Sequence, residues 1–122
     1  MAEPALNPVD LDHLNIYTGG DKRLNCQILG LFDGQCREII ERLASIAAGG
    51  ETVENAKNWR EVVHSLKGAS RGVGAFKLGD IAAEAEKMSL GDPMEVLEAV
   101  ERLKANAASV HQFIDDLISK SS

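Results

Sequence analysis

The chain has 122 residues, of which 44% are hydrophobic and 26% charged, with a net charge of −6. That length supports one domain with a real core and leaves no room for separate catalytic and cofactor domains. The acidic balance argues against nucleic-acid partners, which need a basic surface to neutralise phosphates. No apolar run reaches the roughly 18–20 residues that span a bilayer. The opening MAEPALNPVDLDH also lacks the basic start and apolar stretch of a secretory signal, so a cytoplasmic protein away from membranes is expected. Aromatic residues make up only 4%. The core must therefore be aliphatic, a vocabulary that suits helices.

Glycines and prolines divide the chain into five amphipathic runs. The first, about 10–17, places Leu11 and Leu14 behind a capping Asp10 and stops at Gly19-Gly20. It is too short to be stable alone and must dock on the rest. The second, about 21–48, repeats Leu24, Ile28, Leu31, Phe32, Ile39, Leu43 and Ile46 at helical steps and is expected to turn that stripe to the core. Cys26 and Cys36 fall ten residues apart within it, about 15 Å at helical rise, too far for a disulfide.

The third run, about 55–71, starts around Glu54 or Asn58, the latter with Glu61 as a candidate capping box, and closes at Gly72-Val73-Gly74. The fourth, about 75–89, lines up Leu78, Ile81, Ala82, Ala85 and Met88, with Gly79 as a close-packing position. The fifth, about 93–119, starts with Asp92 as cap, Pro93 in the first turn and Glu95 completing a box. Its stripe runs Val96, Leu97, Val100, Leu103, Ala107, Val110, Ile114, Leu117. The extreme N-terminus and Lys120-Ser121-Ser122 are expected to fray. No strand pattern competes. The predicted fold is all-α: an up-down-up-down antiparallel four-helix bundle with the short first helix across one end.

The third run carries the chemistry. At about 100° per residue, Trp59, Val62, Val63, Leu66, Ala69, Ser70 and Val73 share one arc, and Arg60, Glu61, His64, Lys67, Gly68 and Arg71 share the other. His64 is thus predicted at the centre of the solvent face, with Lys67 and Gly68 three and four residues on, beside it on the surface. A lone exposed histidine is ordinarily just a surface residue. The combination of His, Lys at +3 and Gly at +4 on one arc is what points to a phosphoryl acceptor with a neighbouring cation and a cleared approach. His13 and His111 stand alone in the sequence and are expected to be structural or surface residues, and no grouping has metal-ligand spacing.

The stretch His64-Ser65-Leu66-Lys67-Gly68-Ala69-Ser70, followed by Gly74-Ala75 and Leu78, resembles the motif of the histidine phosphotransfer (HPt) family. Ile81, Ala82, Ala85 and Glu86 fit the family's continuation, so the motif covers about 23 residues and the helix layout nearly the whole chain. Ala69, Val73 and Ala85 depart from frequent family residues in ways that touch packing more than chemistry.

The resemblance implies a single-domain bacterial phosphorelay carrier, not an enzyme in its own right. His64 would exchange a phosphoryl group with response-regulator receiver aspartates or a hybrid histidine kinase. Lys67 would be the cation beside the phosphate and Gly68 the clearance residue. Glu86 stands where the family often hydrogen-bonds the imidazole, with pairing to Lys67 or water as the alternative. No cofactor is implied, Mg²⁺ chemistry is expected to sit in the receiver, and the protein is expected to be a monomer. Leu11, Leu14, Arg60 and Arg71 are the expected docking residues.

Three other readings compete. A chemotaxis-type kinase would carry the same histidine domain but continue into dimerisation and ATP-binding domains, whereas this sequence ends in a short polar tail. A non-catalytic adaptor or dimerisation bundle would leave His64 incidental and expose a hydrophobic stripe. A hydrolase using His64 as base lacks a nucleophile or carboxylate pair.

Overall fold

The computed structural model describes residues 7–121, the side chain of Ser121 excepted. Five α-helices form, with no strand among the described residues: α1 (Leu11–Thr18), α2 (Lys22–Ala48), α3 (Val53–Val73), α4 (Phe76–Glu86) and α5 (Pro93–Ser121). Short polar side chains set most of their starts by accepting orphan amide N–H groups. Asp10 accepts from Asp12 and His13, Asp21 from Leu24, and Asp92 from Met94 and Glu95. For α3 the cap is Thr52, whose Oγ1 accepts from the Asn55 amide at 2.9 Å. The helix therefore begins at Val53, beside the Glu54 start rather than the Asn58 box, and Asn58 lies inside it. At the other end Lys120 is helical rather than frayed, while residues 1–6 and 122 lie outside the described residues.

Helices α2, α3, α4 and α5 pack in a ring, α2 on α3 and α5, and α4 on the same two. The core is aliphatic around one indole: Leu29, Phe32, Ile40 and Leu43 from α2, Trp59, Val63 and Leu66 from α3, Leu78 and Ala82 from α4, and Val100, Leu103, Val110 and Ile114 from α5. Two members of the expected α2 stripe are not in it. Leu31 is 71% exposed and Leu24 is exposed as well. The buried face follows Leu29, Phe32, Cys36, Ile40 and Leu43 at steps of three and four, which turns Leu24 and Leu31 roughly 100° or more away. Leu97 of α5 is likewise exposed, because the α5 core face centres on Val96, Val100 and Leu103. Burial holds the Cys36 thiol at a pKa of about 11, so it is a small hydrophobe here, not a nucleophile.

α1 is tied across one end of the bundle. Leu14 enters the core, and buried Asn25 accepts from the Thr18 hydroxyl at 2.6 Å and donates to Asn15 at 2.7 Å. The Asp10 amide donates to the Gly74 carbonyl at 2.9 Å. Gly74, with φ +94°, ends α3 in the left-handed conformation, and a Cβ there would lie 2.6 Å from the Asp10 carbonyl oxygen. Only glycine fits both demands. α3 thus runs through Gly72 to Val73, two residues beyond its expected end.

Candidate functional site: a carboxylate-held histidine on α3

α3 buries Trp59, Val62, Val63, Leu66 and Ser70, and its opposite face carries exposed Arg60, Glu61, His64, Gly68 and Arg71. This is the amphipathic split that the sequence pattern requires. The His64 side chain is 67% exposed, so the imidazole stands on the surface while its backbone belongs to a helix anchored in the core. A Cβ at Gly68 would meet nothing within 4 Å. The space one turn from His64 is open.

The partner of the imidazole comes from α4. Glu86 Oε2 lies 2.6 Å from His64 Nδ1, and its Oε1 accepts from Lys67 Nζ at 2.5 Å. One carboxylate therefore does both things that the sequence posed as alternatives, bridging the histidine and the lysine. Hydrogen bonding from Lys67, then from His64, holds the Glu86 carboxyl below its ordinary 4.5. The group is ionised at neutral pH and can only accept. The proton in the short contact must then sit on Nδ1, which leaves the lone pair on Nε2.

The pair lies where α4 ends. Glu86 is its last helical residue, three short of the expected end. The carbonyl of Ala85 accepts from the Trp59 indole Nε1–H at 2.8 Å and from the Met88 amide at 3.2 Å. A carbonyl has two lone pairs. Both bonds lie where the helix stops, and no glycine or proline stands between Lys87 and Ser89.

The remaining expected residues scatter. Arg71 reaches Asp80 of α4 at 3.4 Å, and its aliphatic stem lies over Gly79, where a Cβ would come within 2.8 Å of Arg71 Cγ. Arg60 is exposed. Leu11 is half-buried, but Leu14 is only 2% exposed and is a core residue, which removes it from the docking surface expected of it. The 3.6-residue turn that sends Leu14 inward sends Ile16 of α1 outward, at 75% exposure, and Tyr17 at the end of the helix is also 72% exposed. These two are exposed apolar side chains, as is Leu31 of α2, which the pattern had assigned to the core. His111 is not solitary: its Nδ1 lies 2.8 Å from Asp33 of α2, bracing α5 to α2. The His13 ring packs edge-on to Tyr17 and Phe76.

No group of three or more His, Cys, Asp or Glu side chains among the described residues is arranged to hold a metal ion. None of the helices they form is long and apolar enough to cross a membrane.

Comparison with known families agrees with the geometry. The family model described as Hpt domain matches residues 27–118, which is 92 of the 122 residues and includes His64, Lys67, Gly68 and Glu86. No curated protein and no solved structure matches the chain. An all-helical bundle with an exposed mid-helix histidine, matched over three quarters of its length, is a member of the Hpt domain family, the histidine phosphotransfer modules of phosphorelays.

Proposed function

We propose that His64 is the residue that accepts and donates the phosphoryl group, in exchange with aspartates of response-regulator receivers or a hybrid histidine kinase. The observation that carries this reading is the 2.6 Å contact between Glu86 and Nδ1 of an imidazole that is otherwise exposed. With Nδ1–H held by the carboxylate, the Nε2 lone pair attacks the phosphorus of a receiver's aspartyl phosphate. The Nε2–P bond forms, the P–O bond to the aspartate breaks, and the carboxylate leaves. The positive charge that develops on the ring is stabilised by Glu86 through Nδ1–H. Lys67, on the same helix, offers its cation to the phosphoryl oxygens. Mg²⁺ and the in-line geometry belong to the receiver, so this chain contributes nucleophile and docking surface.

For docking, Arg60, Lys67 and Arg71 offer cations on the α3 face to a receiver's acidic pocket, Lys67 and Arg71 being paired with Glu86 and Asp80 in the free protein. Apolar contact would come from Ile16 and Tyr17 of α1 and from Leu31 of α2.

The test is label transfer from phosphorylated receivers to the intact protein and to His64→Gln. The variant should fold with an unchanged circular dichroism spectrum, because residue 64 contributes nothing to the core, and should take no label. Labelling at the wild-type rate would refute the assignment.

A further inference from the structure

Trp59 is fully buried, and it is the one tryptophan of the chain. It lies five residues before His64 on α3, on the opposite side of the helix from the histidine. Its ring crosses the core to the end of α4 and donates to the Ala85 carbonyl at 2.8 Å. Ala85 is itself buried, and the residue after it is Glu86. The same helix thus presents the imidazole on one side and, on the other, grips the backbone beside the carboxylate that holds it.

We propose that Trp59 is a positioning residue for the phosphoryl-transfer site: its indole N–H ends α4 at Glu86 and so sets the place from which Glu86 bridges His64 and Lys67.

Three observations carry this. The sequence from Lys87 to Ser89 contains no glycine or proline, and its residues have ordinary helix propensity, so α4 ends before the first glycine that could stop it, Gly91. The final turn is closed by i to i+3 bonds, Lys87 to Glu84 and Met88 to Ala85, both at 3.2 Å, in the tightened form that a helix takes when it stops. The indole occupies the second lone pair of the Ala85 carbonyl. Without it that oxygen is free to accept from Ser89, and another turn of α-helix forms. Loss of the bond would also free the end of α4 to shift against α3, and a carboxylate with contacts of 2.5 and 2.6 Å to two groups tolerates little displacement.

The proposal rests on His64 as the acceptor for its functional meaning, but its structural content is separable. The perturbation is Trp59→Phe, which keeps an aromatic ring in the core and removes only the N–H and part of the ring. Three readouts follow in the whole protein by NMR. The Cα and carbonyl shifts of residues 87–89 should move towards helical values. The ¹⁵N shifts of His64 should change from a single Nδ1–H tautomer to a mixture. The midpoint of the Glu86 carboxyl should move up towards its ordinary value. Transfer to His64 should slow by about fivefold, the weight of one buried hydrogen bond. A residue that merely fills space would change the melting temperature and leave the tautomer and the 87–89 shifts alone.

If Trp59→Phe fails to fold, the reciprocal measurement on the unmutated chain decides. Coupling between two sites acts in both directions. The single indole N–H resonance should therefore shift, and its hydrogen exchange speed up, in the surface variant Glu86→Ala. An indole signal indifferent to Glu86, or unaltered 87–89 shifts in folded Trp59→Phe, overturns the proposal. Altered shifts in Trp59→Phe together with no label on His64 in the unmutated protein would instead sink the acceptor assignment and leave Trp59's structural role standing.

Discussion

Replacing Gly68 by Ala and then by Gln sets stability against function at one position. In α3 this residue has helical neighbours on both sides, and a Cβ there touches nothing within 4 Å. No steric cost then offsets the helix-propensity gain, which is about 1 kcal/mol for Ala over Gly and only slightly less for Gln. For a domain of this size that is a rise in melting temperature of roughly 3–6 °C, measured by circular dichroism. Phosphoryl acceptance should move the other way. Ala adds one methyl beside the imidazole and should cost little. Gln adds a chain long enough to reach over His64, into the path of the phosphate and the docking receiver. A tenfold or greater fall in transfer rate, equivalent to about 1.4 kcal/mol, is expected there. Level transfer rates across the series with rising stability would show that Gly68 clears no path. Falling stability would mean that position 68 is not the open surface that the α3 face requires.

Lys67→Ala should slow transfer or shorten the phosphohistidine lifetime, yet change folding stability by no more than about 1 kcal/mol, since its pairing with Glu86 lies near the surface; unchanged kinetics would reduce Lys67 to a brace for Glu86. The Glu86 carboxyl, held low by Lys67 and then His64, should titrate below 4.5 by ¹³C NMR and move up in Lys67→Ala. Because its folded value is depressed, the stability it adds is present above about 4.5 and is lost as pH falls through the lower folded midpoint. Gly74→Ala forces φ +94° on a residue with a Cβ 2.6 Å from the Asp10 carbonyl, so it should cost about 1–3 kcal/mol and raise amide hydrogen exchange in α1 first.

Much of the candidate site was legible in the sequence because it is local to one helix. His64, Lys67 and Gly68 share a face by the 3.6-residue period alone, and the apolar arc from Trp59 to Ser70 determines which face meets water. Asp10 and Asp92 announce helix starts through chemistry that spans only three residues. Glu86 was reachable as a partner only through the family motif, since nothing within α4 says which of its residues meets α3.

What the tertiary structure decided lies between helices. Leu24 and Leu31 have the spacing of core residues, and whether a flank of α2 is covered depends on which helices pack against it. Leu14 is as hydrophobic as a docking residue needs to be, but α1 turns it into the core and leaves Ile16 and Tyr17 outside. The end of α4 is set by an indole 26 residues away in the chain, through a bond that no local pattern encodes. Periodicity fixes directions around a single axis. Which of those directions meets a neighbour, and where a helix without a glycine stops, depends on side chains distant in sequence that fill the last hydrogen-bonding site.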